Sequence, residues 1–439
     1  MMRKIGIAAI IFDTFMCCVT GASLNDTKTV TGASLNDTKT LLRDLLNSYN
    51  KNVRPVHNQS EIVNVTVQLY VKSIQEFNEV SEVFSVVAGF AIKWKDESMK
   101  WNPANYGGAY QMLTSYDDVW VPELILTSPS DDVESLGAAW NRIRYYADGT
   151  AVWIPVKLVK STCTVDVEIY PFDTQTCTLS YSAMGYELGE VSILPETEEV
   201  DITLFSEHPM WDLVDTTATS ESFGYSSQVS FSFKLKRRPA YVFVNVVLPI
   251  LFLSVLNLLV FLLVPESGER VSYCITVLLS IAVFMTIVSA MLPRTSKPVP
   301  IVSYKLIVDM VISAVITVVA ILNLRIYSKD PEIPVPKWLI GIYRFWTCAV
   351  FRKRKTEPLG MRKLFRKTSK ATRIQTVKTI SEAENENDIK RRLSELIDEE
   401  QITWKKLSYM VDGVAFCLFG LATLCSFAVF LAIVTSRGN

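Results

Sequence analysis

Histidine is scarce in this chain: His57 and His208 are the only two among 439 residues. The sequence also shows no cluster of cysteine, histidine and carboxylate residues with metal-site spacing, and no nucleophile placed beside a general base. These absences argue against an enzyme. We predict that the chain carries no metal ion and no cofactor.

Long stretches of the second half carry very few charged side chains. Four such runs are each long enough to cross about 30 Å of hydrocarbon as a helix. They are residues 241–264, 271–292, 301–327 and 411–435. The connections between the first three runs are very short, so we predict antiparallel neighbours in a four-helix transmembrane bundle. A soluble protein is excluded.

The charges that the chain does carry are segregated. Residues 41–238 contain 27 acidic and 15 basic side chains, whereas residues 328–409 contain 11 acidic and 19 basic ones. Basic loops remain on the cytoplasmic side of a membrane. We therefore predict a multi-pass plasma-membrane protein with an acidic extracellular domain, both termini outside, and a cytoplasmic helical insert between the third and fourth spans.

The insert, residues 328–409, contains two helical patterns. Residues 337–351 mix aromatic and basic side chains, which is typical of an amphipathic helix lying on the inner leaflet. Residues 389–407 form a charged helical pattern that leads into the fourth span and a short extracellular tail, residues 410–439. We interpret the basic stretch at 352–378 as a solvated tether rather than a nucleic-acid site.

The first 40 residues hold a targeting signal and a repeat. Two basic residues precede an apolar stretch that ends in small residues, which predicts a signal peptide over residues 1–22. The alternative is a first transmembrane helix, although about 15 apolar residues are short for a span. Residues 19–29 recur without change as residues 30–40, so we treat residues 23–40 as a duplicated junction segment outside the fold.

Residues 41–239 have the pattern of an antiparallel β-sandwich. A short amphipathic helix is predicted at 41–48. Beyond it, period-two alternation at 62–71 and 229–236 predicts strands buried on one face. Turn clusters recur between short aromatic and β-branched runs, as expected for a sandwich.

Only two cysteines, Cys163 and Cys177, lie in the extracellular domain. An oxidising compartment then allows a single connectivity, and we predict a disulfide between them, with two buried free thiols as the alternative. Glycosylation is predicted at four N-x-[ST] sequons within the first 66 residues. They are Asn25, Asn36, Asn58 and Asn64.

One face of the second apolar run has an ordered polarity. Steps of three or four residues give the stripe Glu269, Ser272, Thr276, Leu279, Val283 and Ile287. In a pore, a ring of acids selects cations, hydroxyls replace part of the ion's hydration, and an apolar constriction closes by dewetting. One helix cannot enclose a pore, so this reading demands a cyclic oligomer. The alternative is an ordinary span with incidental hydroxyls.

Several motifs resemble a known family. The 13 residues between Cys163 and Cys177 contain YPFD at 170–173, the mark of Cys-loop receptors, the pentameric ligand-gated ion channels. WKD, WNP and WVPE, which begin at residues 94, 101 and 120, match nicotinic-type signatures. GER at 268–270, followed by VLLS at 277–280, matches the pore helix of the cation-selective branch.

The resemblance implies roles for the stripe and partners for the chain. Glu269 would form the cation-selectivity ring at the inner mouth, and Leu279 the main gate, backed by Val283 and Ile287. The subunit would assemble into a homo- or heteropentamer in a lipid bilayer, pass monovalent cations and respond to a small-molecule agonist that the sequence does not name.

The resemblance also implies a coupling junction. The disulfide loop, with Pro171 and Phe172, would press on residues 293–300, which include Pro293 and Pro298. Arg237 or Arg238 would tie the last strand to this junction.

The ligand site departs from the family's pattern. Nicotinic receptors hold a cationic amine in an aromatic box by cation–π attraction. Alignment on nearby motifs places Thr127, Met184 and Gly89 at three of the aromatic positions. We therefore predict that acetylcholine is not a potent agonist.

Few other aromatic side chains are candidates to line the ligand site in their place. The hairpin before Val229 has no vicinal cysteine pair but offers Phe223 and Tyr225, and Trp153 is a candidate for the opposing face. Each of these three is equally consistent with core packing. The degenerate site also leaves open an accessory or obligate heteromeric subunit that does not gate alone.

Overall fold

The computed structural model describes residues 33–293, 299–352 and 403–437. The predicted signal peptide, Asn25, Pro298 and most of the predicted helix at 389–407 lie outside these residues. The chain divides into two compact units. The first consists of Met1–Phe243, Val288–Ile301 and Arg437–Asn439, and the second of Val244–Ile287 and Val302–Ser436.

The first unit opens with helix α1, Leu35–Leu46. Ser34 caps it reciprocally: the Asp37 backbone N–H donates to Ser34 Oγ at 3.2 Å, and the Ser34 N–H donates to the Asp37 carboxylate at 3.0 Å. The prediction that this helix spans residues 41–48 was therefore wrong at its start. The two capping residues, Ser34 and Asp37, belong to the second copy of the repeat, which was predicted to lie outside the fold.

Strands form the body of the first unit. They are β1 Val63–Asn78, β2 Val83–Lys100, β3 Gln111–Ser115, β4 Leu124–Leu126, β5 Arg142–Tyr146, β6 Asp148–Trp153, β7 Val156–Thr162, β8 Thr174–Ala183, β9 Val191–Pro195, β10 Trp211–Phe223 and β11 Ser226–Arg237. One sheet has the order β3-β5-β6-β2-β1-β9, with β7 also paired to β2, and the other the order β10-β11-β8-β4. The ladders between these strands are antiparallel except β1–β9, which is parallel. The predicted β-sandwich is confirmed, with one parallel edge that was not foreseen.

The core lies between the two sheets. Phe84 of β2 contacts Phe233 of β11 with ring centroids 5.6 Å apart. Phe90 and Tyr181 make a second contact across the sheets, at 5.0 Å. The alternation in β1 buries the odd-numbered residues from 63 to 71 and leaves Asn64 exposed, as predicted.

Helices make up the second unit and extend into the first. They are α2 Ala240–Leu262, α3 Arg270–Ala290, α4 Ile301–Tyr327, α5 Lys337–Arg352 and α6 Trp404–Arg437. Within the described residues, α2, α3, α4 and α6 are long and apolar enough to cross a membrane. Helix α2 contains a wide π-helical turn at Phe243–Val247, just before Pro249, whose ring disrupts regular α-helical bonding.

Helix α5 is amphipathic. Its inner side packs with Leu339 and Tyr343 against Trp404 and Leu407 at the start of α6. Its other side exposes Trp338 and other large apolar side chains. This agrees with the helix predicted at 337–351, whose position on a membrane surface stays a prediction.

Candidate functional site

The start of α3 presents Glu269 to solvent. Gly268 has a left-handed backbone (φ 71°), which lets the chain turn sharply into the helix. The Glu269 carbonyl oxygen then accepts the Tyr273 N–H at 2.9 Å, so Glu269 occupies the N-cap position directly before α3. A carboxylate is favoured at this end because the helix dipole is positive there.

The predicted stripe lies on the exposed face of α3. Ser272, Thr276, Leu279, Val283 and Ile287 are all exposed, and Leu279 is 63% exposed. The opposite face is buried, with Cys274, Val277 and Ile281 each at most 5% exposed. The helix is therefore anchored on one side, and its ordered polar-to-apolar face has no partner among the described residues of the chain.

The Thr276 hydroxyl on this face is internally satisfied as a donor. Thr276 Oγ1 donates to the Ser272 carbonyl oxygen at 2.9 Å. Its oxygen lone pairs stay directed away from the backbone, and they can accept from water or approach a cation. Hydroxyls held this way suit a surface that ions pass.

The predicted disulfide is confirmed. Cys163 and Cys177 are bonded, with their Cα atoms 5.2 Å apart, and the bridge joins the residue after β7 to the middle of β8. It closes a loop that contains Tyr170 and Asp173.

Arg237 at the end of β11 is the residue that contacts this loop. Its guanidinium bonds both carboxylate oxygens of Asp173, at 2.7 and 3.1 Å, and reaches Glu79 at 2.6 Å. It also lies over the rings of Trp211 and Tyr170, at 4.2 and 4.9 Å from the centroids. Burial opposes the charge of Arg237, but Asp173 and Glu79 outweigh burial and raise its pKa.

Arg238 has a different environment. It is partly exposed and pairs with Asp212 and with Glu207, the latter at 3.1 Å. Arg238 directly follows the last residue of β11, and successive residues of extended backbone point to opposite faces, which separates the two arginines. Of the two sequence candidates, Arg237 is therefore the one bonded to the disulfide loop.

The disulfide loop also contacts the residue that starts α4. The Ile301 N–H donates to the Glu168 carbonyl oxygen at 3.0 Å, and the Glu168 carboxylate pairs with Arg437. Pro293 is buried and Phe172 is half-buried, while Pro298 lies outside the described residues. The proposed pressure of Pro171 and its neighbours on residues 293–300 stays a prediction.

Three candidate agonist-face residues lie along the four-stranded sheet. Thr127 uses both its N–H and its Oγ1 to donate to the Ser180 carbonyl oxygen, at 2.9 and 3.2 Å. Met184 directly follows β8 and is 53% exposed. Tyr225, in the β10–β11 turn, is 86% exposed, whereas the side chain of Phe223 is outside the described set. Of these candidates, the described side chains at the surface are therefore the Met184 thioether and the Tyr225 phenol.

The two candidates for the opposing face lie inside the first sheet. Gly89 is buried in β2 between Tyr70 and Val156. Trp153 is 1% exposed and packs on the ring of Tyr116, with centroids 5.3 Å apart. The burial of Trp153 agrees with core packing, the alternative that the sequence left open for this residue, and a role at a ligand face stays a prediction.

Tyr186, which was not among the residues predicted from the sequence, shapes the surface beside Met184. Trp120 Nε1 donates to the Tyr186 hydroxyl at 2.9 Å, and both residues line a cleft of about 480 Å³ with Met184 and Lys51. Tyr186 was predictable as part of this surface, because it follows the candidate residue Met184 by two positions in the sequence.

The WKD motif has a structural explanation. Asp96 is fully buried and accepts from the hydroxyls of Tyr49 and Tyr145, at 2.7 and 3.3 Å. Tyr49 in turn accepts the Trp120 N–H at 3.1 Å. Burial raises the pKa of Asp96. This acid therefore fixes the segment that leads to the candidate agonist face.

Comparison with known proteins agrees with this architecture. The family described as neurotransmitter-gated ion-channel ligand binding domain matches residues 38–239, and neurotransmitter-gated ion-channel transmembrane region matches residues 246–406. In the described part of the chain, a disulfide-looped β-sandwich precedes four helices long and apolar enough to cross a membrane, which agrees with both family descriptions. The chain belongs to the neurotransmitter-gated ion-channel family, that is, to the Cys-loop receptors, which are ligand-gated channels and not enzymes.

Its relatives include nicotinic receptor subunits. Neuronal acetylcholine receptor subunit alpha-6 of Mus musculus is 30% identical over 303 residues, 67% of this chain and 61% of that protein. Acetylcholine receptor subunit beta-type unc-29 of Caenorhabditis elegans is 31% identical over 305 residues, 68% of this chain and 61% of that protein. The chain spans about three fifths of the length of these curated relatives.

Proposed function

We propose that this chain is a subunit of a cation-selective, pentameric ligand-gated ion channel in the plasma membrane, opened by an agonist other than acetylcholine. The observation that carries the proposal is the exposed stripe from Glu269 to Ile287 on a helix whose opposite face is buried. A lipid-facing surface has no need of this polarity gradient. Repeated around a fivefold axis, it gives an acidic mouth, a hydroxyl zone and an apolar constriction.

Cation selectivity follows from the charge at the helix start. Glu269 is exposed, and five copies of its carboxylate in one ring would attract cations and repel anions. The residue at the other end of α3, Ala290, is uncharged. The Glu269 ring would therefore dominate the ion selectivity of a pore lined by α3.

The proposal on the agonist rests on the three replaced aromatics. The Thr127 hydroxyl donates to the Ser180 carbonyl oxygen, Met184 offers a thioether, and Gly89 has no side chain. A cation–π contact contributes about 0.5–1 kcal/mol at an exposed site and about 2 when desolvated. Loss of three such contacts lowers amine affinity by several kcal/mol, so we expect a ligand that does not depend on a cationic amine.

Agonist closure would reach the pore through the first unit. Arg237 joins β11 to Asp173 in the disulfide loop, and that loop is bonded to Ile301 at the start of α4. The buried contact between Arg237 and Asp173 would transmit a movement better than an exposed one, because it has few alternative arrangements.

The test uses the variant Leu279→Thr, recorded in whole cells without ligand. A hydroxyl at the dewetted constriction lets water and ions enter, so a standing current is expected. The matched control is Leu278→Thr, which makes the same substitution about 100° around the helix, on a less exposed side chain. It should carry no comparable current.

The reversal potential assigns the selectivity. Reversal that follows external sodium supports the proposal, and reversal that follows chloride rejects the role of Glu269. Absence of current, with the protein shown at the cell surface, rejects a self-sufficient channel and supports the obligate heteromeric subunit.

A further inference from the structure

The base of α3 contains a buried charge directly beside its exposed acid. Arg270 follows Glu269, yet its side chain is only 2% exposed. Its Nη1 and Nη2 donate to the two carboxylate oxygens of Asp412 on α6, at 2.9 and 2.8 Å. Its Nε donates to the Leu263 carbonyl oxygen at 2.7 Å. Adjacent side chains of opposite charge thus leave the helix start in different directions, the acid into solvent and the base into the protein.

Asp412 is held in place from a third helix. Asn323 of α4 donates its Nδ2 to Asp412 Oδ1 at 2.7 Å and to the Ser408 carbonyl oxygen at 3.1 Å. Asp412 is 6% exposed, and the two-pronged geometry with Arg270 is the strong form of an arginine–carboxylate pair. The charge of Arg270 is therefore matched one to one by an acid 142 residues away in sequence.

This match has an electrostatic consequence at the pore mouth. The two side chains start from consecutive Cα atoms about 3.8 Å apart, and salt, whose Debye length is about 8 Å, screens a buried charge such as Arg270 much less than an exposed one. An unpaired Arg270 would thus act on ions near the Glu269 ring, and five copies of it would oppose the five acids. With Asp412 in place, the pair is neutral and the charge of Glu269 remains.

We infer that Asp412 is a specificity-determining residue for permeation: by neutralising Arg270, it leaves Glu269 as the net charge at this mouth. The inference rests on the proposed cation-channel function. It assigns to the fourth span, which does not carry the stripe, a part in ion selectivity.

The test compares variants of the full chain that all carry Leu279→Thr, so that current flows without agonist. Asp412→Asn leaves Arg270 unpaired, so the sodium-to-chloride permeability ratio should fall at least about threefold. A threefold change is about what results when the electrostatic energy of one ion at the mouth changes by one kT. Arg270→Gln removes the positive charge instead, and the ratio should not fall. The double variant Arg270→Gln/Asp412→Asn should return the ratio to that of the parent.

The uncharged control is Asn323→Ala. It removes a hydrogen bond from Asp412 without changing any charge, so the ratio should stay at the parent value. A purely structural role for the network would make all three single variants change the ratio alike. That result would overturn the inference, as would an unchanged ratio for Asp412→Asn at the cell surface.

Two further arms keep the test decisive. If Asp412→Asn alone is retained inside the cell, it is co-expressed with an excess of parent subunits, and the ratio should fall as the variant share rises. If the parent is silent alone, the series is recorded with a nicotinic-type subunit that brings it current, under the same criteria. An anion-selective parent rejects the proposed function, whereas a cation-selective parent unmoved by Asp412→Asn rejects only this inference.

Discussion

The buried cluster around Arg237 allows a graded prediction about stability. Arg237 and Asp173 are 2% and 1% exposed as side chains, and Glu79 is 19% exposed. Removal of one partner from a buried ion pair costs about 3–5 kcal/mol, because the remaining charge is left unpaired. Arg237→Met leaves the carboxylates of Asp173 and Glu79 without a cationic partner. We therefore expect it to lower the free energy of unfolding by this full amount.

The other variants should follow in a fixed order. Asp173→Asn removes the negative charge and one of the two acceptor oxygens that Arg237 uses, but leaves Glu79 as its counter-charge, so its effect should be smaller. Glu79→Gln should have the smallest effect, because Glu79 is partly hydrated. Arg238→Met is the matched control, and its exposed pairs are worth at most about 1 kcal/mol.

The assay is thermal unfolding of the solubilised full chain, together with surface labelling in cells. For a unit of about 200 residues, 1 kcal/mol moves the melting temperature by about 2–4 °C, so Arg237→Met should lower it by about 6–20 °C. The reasoning is refuted if Arg237→Met melts with the parent, or if Arg238→Met is the more damaging of the two arginine variants.

Three further expectations concern the first unit. Met184→Trp with Thr127→Tyr restores two aromatics and should raise sensitivity to acetylcholine at least tenfold, measured as a concentration–response curve; no gain would locate the agonist elsewhere. Burial and Arg238 lower the pKa of His208, so the unfolded state binds the proton more tightly and stability is lost as pH falls below about 6.5; melting at pH 5.5 and 7.5 should show a smaller loss in His208→Gln than in the parent. Asn58→Gln and Asn64→Gln should each remove one glycan, seen as a step in gel mobility that enzymatic deglycosylation abolishes; parental mobility would show an unused site.

The periodic features were predictable from the sequence because they depend on neighbours a few residues apart. The alternation at Val65 and Leu69 identifies a strand with one buried face, and the spacing from Glu269 to Ile287 identifies one face of a helix. The disulfide needed only the count of cysteines in the extracellular domain.

Features that depend on distant residues were not predictable. The choice between Arg237 and Arg238 requires the register of β11, since a shift of one residue exchanges the two faces. The local sequence around Trp153 fits a core aromatic and a surface aromatic equally well. Only the position of β6 within its sheet decides between them. The pair between Arg270 and Asp412 joins two helices far apart in sequence, and no local pattern indicates it.

The most direct test of the channel proposal measures the reversal potential of the current through the Leu279→Thr variant. The external sodium concentration is lowered tenfold, a large cation takes its place, and the chloride concentration is kept constant. A sodium-selective pore should shift toward the limit of about 59 mV per tenfold change, with little shift when chloride is replaced instead. A current whose reversal potential follows chloride and ignores sodium would contradict the account.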